Sequence, residues 1–459
     1  PQPGRRASLR RTGKRTVISV PGPVPLAAAM ARAWALIFRG IIFMTPQRFQ
    51  GRITTAVLFI LLPAVSAQAA TLSLDEALQL AERNAPSLQA RQEQASAARS
   101  AVIPAGELPD PRLNLGVQNL PIEGTDRWSM NRDFMTMQVV GLSQEVPNRD
   151  KRKARIETAQ ATVERADAEA LFERLKVRAA TAQAWVAAYT VQRKLEQFDA
   201  FYKENQLLAS TVRASLAGGA GSTADTLAPK QELAQLDEQK DVLLSQSAQA
   251  RAALKRWIGQ DAEVGAPTFP VWPVDAAEYL HSVHAHPELN TYNAMTREAQ
   301  AQVHQAQAEK KSDWSWGVDY QRRGPDFSNM VSLQVSFQLP LFTSSRQDPM
   351  IAARRAQVRQ LENEQDAALR EHQAQLETDL AEYQRLQRAV RRSRETLLPL
   401  AEDRVRLALA DYRAGNSPLS EVLSARRQRV EALLQDVDLQ GQLAATAARL
   451  HFVYGEVRA

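Results

Sequence analysis

Histidine is scarce in this chain, and three of its six copies fall close together, at His281, His284 and His286. Imidazole is the commonest protein ligand for transition metals, so such a group raises metal chemistry first. The three lead into a helix expected from near Pro287, with no carboxylate or thiol seen at close ligand spacing. Solvated surface histidines are therefore expected, and no metal site. Met130, Met135, Met137 and Met330 raise soft Cu(I) sites instead, but they sit in or beside strand-like segments, where methionine is ordinary packing. Two acids occupy matching places: Asp225 lies six residues after Gly219, and Glu421 six after Gly415, each with a leucine two residues on. Acids just past a glycine turn suit a helix N-terminus, where unpaired amides favour negative charge. Enzyme chemistry has no foothold. There is no metalloprotease histidine pair and no Gly-x-Ser-x-Gly elbow, and the turn from Gly218 to Thr223 lacks the lysine of a phosphate loop. No cofactor is expected. The absence of cysteine excludes disulfides, thiolate metal sites, thiol catalysis and a lipid-modified N-terminal cysteine.

Elements of two different periods must position these residues. Val331, Leu333, Val335, Phe337, Leu339 and Leu341 alternate with Ser332, Gln334, Ser336, Gln338 and Pro340. Period-two alternation marks a strand with one face in an apolar medium and the other in water. Residues 112–147 and 314–340 read as two hairpins, the first offering Leu113, Leu115 and Val117 and returning through Val140, Leu142 and Val146. The second offers Trp314, Trp316, Val318 and Tyr320 before its return. A helix precedes each hairpin, over Leu74–Ile103 and over Pro287–Lys311, and a charged helical run of about 65 residues follows each. A helix of that length spans roughly 100 Å, beyond any ordinary globular domain.

The first rod runs from about Asp150 to Leu216, with Ala168, Phe172, Leu175, Ala179, Ala182, Val186 and Tyr189 as a coiled-coil seam. The second runs from about Asp348 to Arg413, with Leu369, Leu376, Leu380, Tyr383 and Val390 on one face. Pro399 should kink it or remove one backbone hydrogen bond. Each rod ends in a glycine turn and reverses, the returning helices reaching Ile258 and Val453. The same order recurs at an offset near 195 residues, so residues 71–265 and 266–459 read as two repeats joined across the linker Pro267–Pro273.

Charge is unevenly spread. Residues 1–70 carry ten Lys and Arg and no acid, leaving 47 basic against 51 acidic residues beyond them. The basic balance thus belongs to the upstream segment and implies no nucleic-acid partner. Within it, Arg48–Ala70 has a basic start, an apolar core over Ala56–Pro63 and the small-residue site Ala67-Gln68-Ala69, which together form a secretory signal. Met44 is the natural initiator, so residues 1–70 are expected to be upstream sequence and cleaved signal. No later stretch is apolar enough for a transmembrane helix, and four strands cannot close a barrel, because lipid tolerates no open edge. Three chains would give twelve strands, within the range of outer-membrane barrels.

The chain resembles the TolC family of outer-membrane efflux ducts. The resemblance rests on Leu72-Ser73-Leu74-Asp75-Glu76-Ala77-Leu78 with Asn84-Ala85-Pro86-Ser87-Leu88, and on Tyr412-Arg413-Ala414-Gly415 before Glu421-Val422-Leu423. It implies a mainly helical trimer with a shared twelve-stranded barrel, four strands per chain, on a coiled-coil tube in the periplasm. Leu108-Pro109-Asp110-Pro111-Arg112-Leu113, Asn119-Leu120-Pro121 and Phe134-Met135-Thr136-Met137 leading into Gln144-Glu145-Val146-Pro147 are similar to the heavy-metal branch, which includes CzcC-like and CusC-like ducts. The missing cysteine favours the CzcC-like side. The resemblance implies a periplasmic adaptor, a proton-driven resistance-nodulation-division pump and outer-membrane lipid as partners, with metal cations passing passively. It further implies an acidic periplasmic aperture at Glu421, with Asp225 its counterpart in the first repeat. The family's second acidic position is Ser424 here, which puts a double ring in doubt. The tip turns, with Gly219, Gly221, Gly415 and Asn416, would meet the adaptor. Val331, Leu333, Val335, Phe337 and Leu339 would face lipid.

Overall fold

The computed structural model describes residues 71–219 and 222–455; the expected signal and Gly221 lie outside them. Ser73 opens helix α1 (Leu74–Asn84) with a reciprocal cap: its hydroxyl accepts the Glu76 amide, and the Glu76 carboxylate accepts the Ser73 amide at 3.0 Å. The helix then breaks. Ala85 is extended (φ −66°, ψ 115°) ahead of Pro86, whose ring disfavours helical backbone in the residue before it. A second helix, α2, starts at Pro86 and runs to Ala105, so the single helix expected over Leu74–Ile103 is in fact two.

Strands β1 (Arg112–Gln118) and β2 (Met137–Val146) follow, then α3 (Arg149–Leu195), α4 (Phe198–Ala217), a 3-10 turn at Thr223–Leu227 and α5 (Ala228–Ile258). After the linker come α6 (Ala276–Ser282), α7 (Pro287–Ala308), β3 (Trp314–Arg322), β4 (Met330–Phe337), α8 (Gln347–Arg392), α9 (Leu398–Arg413) and α10 (Leu419–Leu450). Neither rod is continuous. The first is broken at Glu196 and Gln197, between the 47 residues of α3 and the 20 of α4. The second passes through a π turn at Ser393–Leu397, in which the Leu398 amide reaches back five residues to the Ser393 carbonyl. That turn restarts the helix, so Pro399 falls in the first turn of α9, where helical amides are unpaired anyway.

The four strands form one antiparallel sheet in the order β1-β2-β3-β4. Its register aligns Leu113, Leu142, Val318 and Leu333 in one cross-strand row and Leu115, Val140, Tyr320 and Val331 in another. The alternate rows of the other face carry Ser143, Gly317 and Gln334, or Gly141, Asp319 and Ser332. Pairing of β2 with β3 joins the two hairpins, and the strand-to-helix junctions are pinned together as well. Buried Lys151 of α3 reaches Asp313 at 2.6 Å and Glu309 at 3.1 Å, while the Asn148 amide donates to Asp313 at 2.7 Å.

The largest apolar core gathers Trp185 and Tyr189 of α3, their rings stacked on each other, with Leu254 and Ile258 at the end of α5. The Trp185 indole donates to the Leu72 carbonyl at 2.9 Å, and Leu72 makes a parallel bridge to Val264 beside the linker. Local burial thus fixes both ends of residues 71–265.

Candidate functional site

Three regions carry the residues singled out from the sequence. At the sheet, Val331, Leu333, Val335 and Phe337 of β4 are all exposed, Leu333 to 78 %. They continue the apolar rows of β1–β3, so most of that sheet face is exposed. Leu339 is also exposed but lies two residues past the end of β4. Pro340 has no amide to extend the ladder, and the Leu341 amide turns back onto the Leu339 carbonyl at 3.0 Å. The second hairpin therefore ends earlier than its alternation promised. Met130 and Met135 are exposed in the β1–β2 loop, and Met137 and Met330 begin β2 and β4.

At the opposite end the two glycine turns have the backbone their residue type permits. Gly219 and Gly415 sit at φ +80° and +77°, with open space where a side chain would stand. After Gly415 the chain forms a Schellman turn: Gly415 and Asn416 donate to the Tyr412 and Asp411 carbonyls at 3.1 and 2.9 Å. Gly415 and Asn416 are both exposed. The two acids part company here. Asp225 accepts the Ser222 amide at 2.9 Å and completes a capping box. Glu421 stands exposed in the first turn of α10, and its carboxylate has no hydrogen-bond or ion-pair partner among the described residues. It lines a groove of about 440 Å³ between α9 and α10, beside Leu400, Arg404 and Leu407. Ser424 lines a different groove, of about 230 Å³, between α5 and α10.

The tip hairpins of the two halves are packed together. Leu208 and Val212 of α4 meet Leu419 and Val422 of α10, and above them Phe198 and Phe201 of α4 meet Leu236 of α5 and Val430 of α10. Arg426 of α10 bonds Glu232 of α5 at 2.9 Å and the Glu204 carbonyl of α4 at 3.3 Å. Asn205 holds the second Glu232 oxygen at 2.8 Å, and Arg429 pairs with Glu204. No sequence spacing signalled the arginine ties, because their partners lie roughly 200 residues apart.

The third region corrects the histidine reading. His281 and His284 are exposed as expected, but His286 is buried. It caps α7, its Nδ1 accepting the Glu288 amide at 3.2 Å, and its ring lies 3.9 Å from that of His372 on α8. Phe172 and Tyr454 flank it. Burial, with a lesser push from His372, lowers the His286 imidazole to about 4. Glu288, two residues on, is the close carboxylate that the expectation overlooked, and His372 could be placed beside it only by the fold. The hydrogen bond from His372 holds the Glu288 carboxyl below its ordinary range despite partial burial.

With this geometry in hand, comparison with known proteins is informative. Residues 283–456 match the outer membrane efflux protein family. No curated protein matches the chain. Among solved structures, the outer membrane protein VceC of Vibrio cholerae superposes with a TM-score of 0.68 at 17 % identity, covering 83 % of this chain and 95 % of that one. The fold is that of the outer-membrane efflux channels. CusC gives a TM-score of 0.66 at 14 % identity, over 89 % of this chain and 98 % of its own. The open-state outer membrane channel MtrE of Neisseria gonorrhoeae gives 0.64 at 17 % identity, over 90 % and 98 %.

Proposed function

We propose that this chain is one protomer of a homotrimeric outer-membrane duct that passes heavy-metal cations outward. The cations would come from a resistance-nodulation-division pump through a periplasmic adaptor. The sheet carries this reading: most of its apolar face is exposed, β1 and β4 are its edges, and it stands on helices of about 70 Å. In lipid an unpaired strand edge is untenable, and pairing β4 of one copy with β1 of the next removes it; three copies make a twelve-stranded barrel. A second surface supports assembly. Helix α9 buries none of its residues, and Leu397, Leu400 and Leu407 are exposed at its start and along it, at the spacing of a helix seam.

On this reading residues 71–265 and 266–459 are two repeats, each supplying a hairpin to the barrel and a helical pair to the tube. Glu421 narrows the periplasmic end. Three such carboxylates near a three-fold axis would favour cations; Asp225 is the first repeat's counterpart in position, but its cap with Ser222 holds it out of the ring. The turns at Gly219, Gly221, Gly415 and Asn416 receive the adaptor. Energy comes from the pump, because the duct itself does no chemistry. The metal cargo rests on the branch-like segments Leu108–Leu113 and Phe134–Met137.

Three measurements test the reading. Purified protein in planar bilayers should give channels, and its mass in detergent should be three protomers; well-folded protein without channels would favour a soluble coiled-coil scaffold. Cells lacking the chain should lose tolerance to divalent metals. Sensitivity confined to organic dyes or drugs would instead make it a duct for those solutes.

A further inference from the structure

His286, Glu288 and His372 come together in the helical body, far along the chain from both tip turns. His372 Nε2 lies 3.1 Å from Glu288 Oε2, and one ligand-capable atom from each of the three residues lies within 4.8 Å of the others. Neighbouring donors around a tetrahedral Zn²⁺, at bonds of about 2.0–2.1 Å, stand about 3.3 Å apart. The His372–Glu288 edge therefore already has ligand spacing, with a cation able to replace the proton between its two atoms. A cavity of about 340 Å³ opens beside all three residues and gives room for a water as fourth ligand. Lys176 is on its wall, but its ammonium is engaged by Glu173 at 3.6 Å and by the Phe172 ring.

We propose that His286, Glu288 and His372 form a binding site for a divalent transition cation of the Zn²⁺ type. Two imidazoles and one carboxylate suit Zn²⁺, Co²⁺ or Ni²⁺ better than Ca²⁺ or Mg²⁺, which take oxygen ligands, or Cu(I), which takes thiolates. The His286 ring reaches the metal by giving up its cap. Its Nδ1 now accepts the Glu288 amide, so the neutral ring carries its proton on Nε2. Binding through Nδ1 displaces that amide, and binding through Nε2 moves the proton to Nδ1. The consequence is a staple: α7 and α8 are joined directly. The π turn His451–Gly455 that follows α10 is joined to them through Tyr454, whose hydroxyl donates to the His372 carbonyl at 3.3 Å. This goes beyond the duct reading and holds whatever solute the duct carries.

The test uses full-length protein in detergent, stripped of metal and titrated with Co²⁺ as a spectroscopic probe, then with Zn²⁺. One Co²⁺ per chain is expected, with the intense visible absorption of a four-coordinate ion, displaced by Zn²⁺ and accompanied by a higher melting temperature. His372→Ala should weaken binding at least about 100-fold, since even losing a partner that only orients a ligand costs 10–100-fold. Glu288→Gln keeps the shape and should weaken it about tenfold, so a misfolded His372→Ala leaves the test intact. His304→Ala, at the separate exposed pair with Glu157, should change nothing. Absence of Co²⁺ absorption, or binding that survives His372→Ala and Glu288→Gln but not His304→Ala, would overturn the site. Channel activity plays no part in these readouts.

Discussion

The two glycine turns are alike in sequence and unlike in use. Each has an acid six residues past a glycine of positive φ, yet Asp225 is engaged by the Ser222 amide while Glu421 has no partner among the described residues. The cause is the residue that opens the return: Ser222 caps the 3-10 turn Thr223–Leu227 ahead of α5, which has no side-chain cap of its own. Ser222 offers a hydroxyl and an amide that close a reciprocal box with Asp225, whereas Pro418 precedes α10 with neither. Equal spacing therefore does not mean equal availability. A carboxylate held in a cap sits within its own chain, and a free one can meet its copies across an assembly.

Four substitutions bear on this contrast, beginning with the contacts that hold both turns in one frame. Arg426→Met strands Glu232, whose side chain is only 14 % exposed, and should cost about 3 kcal/mol, read as a lower thermal midpoint of the helical signal. An unchanged midpoint would show that the apolar contacts alone align the tips. Gly415→Val and Gly219→Val should each cost about 2 kcal/mol, because the space is open and only the left-handed backbone resists. Unequal costs would show that one turn tolerates rearrangement. Asp225→Ala should cost about 1 kcal/mol through loss of the box and leave ion flow untouched. A change in current would place Asp225 in the aperture after all.

Much of this architecture is legible in the residues themselves. Alternation from Val331 to Phe337 and the heptad-like seam through Trp185's neighbours Ala182, Val186 and Tyr189 are local signals, and both the hairpins and the rods follow from them. The break at Glu196 was not legible, since it depends on how one helix accommodates its neighbours; Pro399 announced a disturbance in the second rod, but not that a π turn at Ser393–Leu397 would absorb it. Ties between elements far apart in the chain were hidden for another reason. Lys151 with Asp313, Arg426 with Glu232 and His286 with His372 are pairs whose members are 86 to 194 residues apart, and only packed helices bring them together. Glu288 is different. It stood two residues from His286 and was visible all along, but its helical position beside a buried ring was not.

Glu421→Ala is the smallest change in stability and the sharpest test of the comparison. An exposed, unpaired acid in a first helical turn contributes at most about 0.5 kcal/mol through the helix dipole, so the thermal midpoint should hardly move. In bilayers, however, an aperture role predicts that the mutant passes a larger current than the wild type and loses any block by divalent cations. Acidification cannot replace this mutation. Burial raises the Glu82 carboxyl, but hydrogen bonds and charge from Arg178 and Arg174 outweigh it and hold the group below its ordinary range. The stability that Glu82 lends is present above the unfolded carboxylate pKa and is lost as pH falls through the lower folded value. Lowering the pH thus loosens α1 from α3 while it protonates any acidic ring, and Glu82→Gln should flatten only the first effect. If Glu421→Ala leaves current and cation block as they were, the free carboxylate has no aperture role, and the two turns differ only in how their helices begin.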